Sequence, residues 1–218
     1  MTNQNKLYLE KLKYEDTKRF SSWRGFDEPL FYGYSYNDMT EDQADYWYLI
    51  KQRNNFASYF SINLDDEMIG FIGVKEIKPI IRSGKLGIVI DDKWTSKGYG
   101  KEAMRLFLDF YFKEMKMRSL ILEVNAWNDR AIRLYKAFNF KIYKEKYEVF
   151  ENQALDLEDE KYKYIKKYFR INKGRIESEI YFMRLSREEY INETWVAKRS
   201  IRFRRHSNRK YVYKYSHG

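Results

Sequence analysis

Apolar positions along this chain recur with a period of two in some stretches and near 3.6 in others. The switches divide it into elements. Residues 6–12 alternate around Leu7 and Leu9 and predict a first strand. Glu15 to Trp23 predicts a short helix, and the capping box Thr40-Glu41-Asp42-Gln43 opens a second that runs through about Arg53. Phe56 to Ile62 and Met68 to Ile77 predict two strands, with Asp65-Asp66-Glu67 as the turn between them. Leu86 to Ile90 is a short apolar run rich in β-branched residues, which suits a buried strand. Ala103, Leu106, Phe107, Phe110 and Tyr111 then form one helical face. Leu120 to Val124 predicts another strand. Asn128 sits at an N-cap position before Ala131, Leu134, Tyr135 and Phe138, again at helical spacing. Strands follow from Phe140 to about Tyr147 and from Ile176 to Leu185. A second capping box, Ser186-Arg187-Glu188-Glu189, starts a helix through Trp195. The order β-α-α-β-β-β-α-β-α-β-β predicts one mixed α/β domain.

Composition narrows the chemistry. With 218 residues and 44% hydrophobic content, the chain can bury one core and carry extensions. No apolar run is long enough to span a bilayer, and the first twenty residues lack the apolar centre of a signal peptide. Cysteine is absent, which fits a reducing compartment, and a cytoplasmic location is expected. Both histidines, His206 and His217, lie in the last thirteen residues. Thiol catalysis, cysteine metal sites and a Ser–His pair in the core are therefore excluded, and no metal site is expected.

The net charge of +10 is unevenly spread. Eight of the 42 basic residues and none of the 32 acidic ones lie from Thr194 onward, so residues 1–193 are nearly neutral. A domain over 1–193 with a basic, aromatic C-terminal extension over 194–218 is expected. That extension carries Phe203, Tyr211, Tyr213 and Tyr215 among its cations. It suits either a solvated or packed tail or contact with a polyanion: RNA, the ribosome or an anionic membrane surface. Residues 151–174 read as an insertion within the domain, acidic and then basic and aromatic, a pattern that suits a solvated helix or loop.

One stretch carries candidate chemistry. The Leu86–Ile90 strand leads through Lys97-Gly98-Tyr99-Gly100 into a helix N-terminus. The first N–H groups of a helix lack internal partners and attract anions, and glycines let a ligand approach closely. This is either an ordinary turn or a pyrophosphate cradle. It is not a Walker loop, because Gly100 is followed by Lys101-Glu102.

Gly98-Tyr99-Gly100 opening a helix, followed by LEVNAWNDRAIRLYKAFNF, resembles the Gcn5-related N-acetyltransferase (GNAT) family, especially bacterial members that acetylate ribosomal-protein N-termini. The resemblance spans about residues 6–192 and is specific between Lys85 and Phe140. Two positions depart from it: Thr95 stands where the family's loop usually begins with Gln or Arg, and Asn139 where Gly is usual. Asn still tolerates the left-handed turn that stops a helix. The resemblance implies a GNAT-like α/β domain, its sheet mostly antiparallel with splayed central parallel strands flanked by helices. It implies acetyl-CoA as co-substrate. The backbone of Ser96, Lys97, Gly98, Tyr99, Gly100 and Lys101 would hold its pyrophosphate, and Ile88, Val89 and Ile90 its pantetheine arm.

A strand N–H near Val89 or Ile90 would stabilise the tetrahedral intermediate. By position, Glu123 would be the base, with Glu76 and Asp91 as alternatives, or Glu123 would sit in an ion pair. Tyr135 would be the acid for the leaving thiolate, and Asn128 both N-cap and cofactor contact. The aromatics and carboxylates of Gly25–Asp38 would either wall an amine site or pack over the sheet. Acceptors open on this reading are a protein α-amine, a polyamine, an aminoglycoside or an amino sugar. The competing reading is a non-catalytic acyl-CoA-binding or RNA-binding module on the same fold. A homodimer is compatible with the sequence, which does not specify it.

Overall fold

The computed structural model describes residues 6–52 and 55–196, with backbone only for 193–196, 202–206 and 210–214. Its elements are β1 (Leu7–Lys11), α1 (Tyr14–Thr17), α2 (Glu41–Gln52), β2 (Ser58–Leu64), β3 (Glu67–Lys78), β4 (Ser83–Ile90), α3 (Tyr99–Asp109), β5 (Ser119–Asn125), α4 (Asp129–Lys136), β6 (Lys141–Val149), β7 (Phe169–Asn172), β8 (Arg175–Ser186), α5 (Arg187–Val196), β9 (Arg202–His206) and β10 (Lys210–Lys214). The main sheet runs β1-β2-β3-β4-β5-β8-β6, with β7 beside β8; β9 and β10 form a separate hairpin. The basic and aromatic side chains of the extension lie outside the described residues. Every pair in the main sheet is antiparallel except β4 with β5.

The alternation of apolar residues puts two cores on opposite faces of the sheet. One joins Leu9, Ile62, Ile72, Leu86, Leu120 and Met183 to α3, α4 and α5. The other packs Tyr59, Phe71 and Val89 against Leu12, Phe20 and Trp23, with Trp47 of α2 alongside. Helix α3 does not stop where a regular helix would. It continues as one wider turn, Phe110–Glu114, closed by the Met115 N–H donating to the Phe110 carbonyl at 3.0 Å. The extra residue in that turn lets three consecutive aromatics, Phe110, Tyr111 and Phe112, all point inward.

The expected helix over Glu15–Trp23 is shorter: after α1 the chain tightens into a 3₁₀ turn over Lys18–Ser22. Residues 151–174 are largely exposed, as the sequence suggests, but not throughout. This segment forms two 3₁₀ turns and β7, and it buries Leu155, Tyr162 and Phe169 against Leu30, Trp127 and Phe150 in a third core. Asn139 adopts φ 63°, the left-handed stop expected after α4.

Candidate active site

Strands β4 and β5 pair only from Ser83–Lys85 to Ser119–Ile121 and then part. Their open edges follow from the ladders on either side. The Asp91 N–H donates to the Ile69 carbonyl at 3.0 Å, and β3 pairs with β4 in register with Phe71 opposite Val89. Bonding alternates along an antiparallel ladder, so Val89 and Gly87 are engaged with β3. The N–H and C=O groups of Ile88 and Ile90 therefore face the gap. On the other side the Ala126 N–H donates to the Glu179 carbonyl at 2.8 Å. The even-numbered residues of β5 are thus turned to β8, and the backbone of Glu123 and Asn125 faces the gap. This refines the sequence reading: Ile90, not Val89, holds the N–H available to a ligand there.

The gap ends at the glycine turn. Ser96 and Gly98 adopt left-handed conformations, φ 59° and 90°. Among the described residues, none accepts from the N–H groups of Ser96, Lys97, Gly98, Tyr99 or Gly100. Successive free amides in such a turn, capped by a helix N-terminus, make an anion-binding concavity. The cradle is one residue shorter than expected, because the Lys101 N–H donates to the Gly98 carbonyl at 3.0 Å. Lys101 still borders the cavity.

A cavity of about 260 Å³ joins the gap to this turn. Ile88, Val89, Ile90, Ser96, Gly98, Gly100, Glu123, Asn128 and Tyr135 all border it. The Lys97 and Tyr99 side chains do not. The Lys97 ammonium lies 4.9 Å from the Trp94 ring centroid, and Tyr99 packs edge-on to the same ring at 5.7 Å. These two can offer backbone only. Trp94, Leu134 and Arg130 also border the cavity, and the sequence reading missed them. Trp94 has no motif to mark it. Arg130 was legible only as a cation in the first turn of α4; its guanidinium lies 5.2 Å from the Phe31 ring.

Glu123 and Tyr135 approach from opposite faces. The neighbours of Glu123 on β5, Leu122 and Val124, point into the core beneath α3 and α4, so Glu123 points the other way. Its carboxylate is 31% exposed and pairs with Lys85 at 2.5 Å. The ion-pair role is thus present in the structure. Tyr135 is buried in the α4 core, and burial pushes its phenol above its usual range, so it keeps its proton. The Asn128 side chain accepts from the Ala131 N–H at 3.1 Å, which accounts for the N-cap.

The alternatives to Glu123 are otherwise engaged. Buried Asp91 accepts from the Gly25 N–H at 3.1 Å and ties down the start of the Gly25–Asp38 loop. Glu76 lies 3.6 Å from Lys85. Neither borders the cavity. The loop divides its labour. Phe26, Phe31 and Tyr34 border the cavity, whereas Tyr36 packs in the second core. Its carboxylates are engaged locally: Asp27 pairs with Arg24 at 3.0 Å at the exposed surface, and Glu28 accepts from the Leu30 N–H and the Tyr162 hydroxyl. Burial pushes the Tyr34 phenol up to about 12.

Among the described residues, no group of three or more His, Cys, Asp and Glu side chains could hold a metal ion, and no helix is long and apolar enough to cross a membrane.

A mixed sheet whose one parallel pair opens beside a run of unbonded amides is the architecture of an acyl-CoA-dependent transferase domain. The chain belongs to the acetyltransferase (GNAT) domain family, whose model matches residues 6–141. It is similar to spermidine N(1)-acetyltransferase of Escherichia coli K12, with 29% identity over 83 residues. That match covers 38% of this chain and 45% of the relative, so it spans less than half of the relative's length. Among solved structures it resembles spermidine N-acetyltransferase from Vibrio cholerae in complex with CoA and spermine, with a TM-score of 0.65 and 21% identity, covering 85% of this chain and 98% of that one. A dodecameric structure of the Vibrio cholerae enzyme matches with a TM-score of 0.60 and 20% identity, covering 86% and 98%.

Proposed function

We propose that this protein transfers the acetyl group of acetyl-CoA to a primary amine of a small polycationic acceptor, by direct attack in a ternary complex. The observation that carries the reading is the parted β4–β5 edge running directly into five unbonded amides. A cofactor with a diphosphate at one end and an extended diamide arm at the other needs both features. Ser96 to Gly100 would hold the diphosphate, the backbone of Ile88 would pair with the arm, and Ile90 would present its N–H to the developing oxyanion. The aromatic wall of Phe26, Phe31 and Tyr34 suits a cation, and the relatives named for spermidine support a polyamine over the other acceptors.

An alkyl amine is mostly protonated near neutrality and must lose a proton before it attacks. Glu123 takes that proton, directly or through one water. The amine nitrogen then bonds to the thioester carbonyl carbon, the carbon–sulfur bond breaks, and Tyr135 gives its hydroxyl proton to the leaving thiolate. The second nitrogen proton leaves to solvent, Glu123 releases the proton it took to solvent, and the phenol is reprotonated. The sum is an amide, free CoA thiol and one released proton.

Thiol release from acetyl-CoA against a panel of polyamines and monoamines tests this. We expect saturable turnover on polyamines. Glu123→Gln should lower kcat about 100-fold and Tyr135→Phe about tenfold or more, both with CoA affinity retained. Saturable CoA binding with no turnover on any amine would instead favour the non-catalytic module.

A further inference from the structure

Lys85 occupies an unusual position for a lysine. It is the last residue of β4 that pairs with β5, opposite Ile121, so it stands at the apex where the strands begin to part. Its side chain is only 15% exposed and lies between two carboxylates, Glu123 at 2.5 Å and Glu76 at 3.6 Å. Glu76 reaches it because the β3 ladder is irregular between Lys75 and Lys78 and Glu76 takes a left-handed φ of 52°. L residues avoid that conformation, and here it belongs to a side chain that turns toward the lysine. The Glu76 side chain is 56% exposed and lies outside the cavity wall, whereas Glu123 borders the cavity.

The proposed reaction brings a cationic amine to Glu123. Two cations cannot share the same face of one half-buried carboxylate without mutual repulsion. We propose that Lys85 is a counter-ion that exchanges: it holds Glu123 aimed into the gap when the acceptor is absent, and it moves to Glu76 when the acceptor's ammonium takes its place. Glu76 is the second seat that makes the displacement affordable in charge, because a half-buried ammonium leaving one carboxylate needs another. Lys85 and Glu76 are positioning residues. This inference rests on the proposed acetyl transfer to amines.

Steady-state kinetics on wild type, Glu76→Gln, Lys85→Met and Lys85→Arg, with spermidine as varied substrate, read the exchange. Glu76→Gln removes the second seat and should raise the KM for the amine about fivefold with kcat and the KM for acetyl-CoA unchanged. Lys85→Met removes the competitor and should lower the amine KM about tenfold while kcat falls, because the carboxylate loses its tether. Lys85→Arg should restore kcat. A merely structural ion pair would not move the amine KM in opposite directions in Glu76→Gln and Lys85→Met. If wild type turns over and Glu76→Gln leaves the amine KM unchanged, or Lys85→Met raises it, the exchange is overturned and the transferase reading stands. If wild type releases no thiol with any amine, the transferase reading itself fails.

Discussion

Gly98 and Gly100 stand two positions apart in the glycine turn and do different work there. Gly98 is required by its backbone: at φ 90° an L residue is strained, although a Cβ there would meet nothing within 4 Å. Gly100 matters instead for the space it leaves. A Cβ there would sit 3.7 Å from Leu134 and 4.0 Å from Ile90, ordinary contacts that the protein tolerates, but it would stand on the cavity floor. The two substitutions should therefore separate. Gly98→Ala should cost about 1–2 kcal/mol of stability. Gly100→Ala should leave the thermal midpoint unchanged and weaken CoA binding about tenfold, read by titration calorimetry. Equal effects of both on stability would show that Gly100 serves the turn and not the cofactor. Both positions were legible in the sequence as Gly98-Tyr99-Gly100 before a helix. The Lys85 pairing was not, since nothing in the sequence assigns a partner to a lysine on a strand.

At the scale of elements, local signals were followed closely where a single segment carries them. The Ser186-Arg187-Glu188-Glu189 box forms as read: Glu189 accepts from the Ser186 N–H at 3.0 Å and from its hydroxyl at 2.7 Å, and the Glu189 N–H donates back at 3.2 Å. Lys141 on β6 adds an ion pair at 2.5 Å. The Lys141 bond, then the Ser186 bonds, pull the Glu189 carboxyl from its ordinary 4.5 down to about 2. A depressed carboxyl stabilises the fold fully above its unfolded value, and that contribution is lost as pH falls from about 4.5 toward 2. Urea midpoints measured across that window should fall for wild type and fall less for Glu189→Gln, whose starting stability is lower. Identical slopes would show that the box does not set the acid response. The elements that departed from expectation did so for tertiary reasons. The wide turn at Phe110–Glu114 exists because three adjacent aromatics all find the core. The Pro29–Tyr34 segment, where the apolar pattern predicts no element, winds into 3₁₀ turns, with the Glu28 side chain capping the Leu30 N–H.

Across the whole molecule, the insertion and the Gly25–Asp38 loop form one unit. Phe169 and Tyr162 pack with Leu30 and Trp127, and Phe31 stacks edge-on to Trp127 at 5.3 Å. The Asn152 side chain donates to the Pro29 carbonyl at 3.3 Å. The wall facing the proposed acceptor is thus braced by residues more than a hundred positions later in the chain. Phe169→Ala should cost about 3 kcal/mol and raise the amine KM several-fold, with CoA affinity unchanged. A loss of CoA affinity in parallel would mean that the third core supports the whole site and not its acceptor side. Apolar periodicity and caps are properties of neighbouring residues, so the order of the main elements and the glycine turn before α3 could be read from the amino acids alone, whereas Ile88, Glu123 and Tyr135 were reached through the family resemblance and Leu134 and Arg130 were not reached. Which backbone amides stay unbonded, where β4 leaves β5, which carboxylate Lys85 holds and what the insertion buries depend on segments far apart in the chain meeting in one register. They are settled once the chain has folded, because each ladder engages half of a strand's amides and leaves the other half to whatever lies across the next edge.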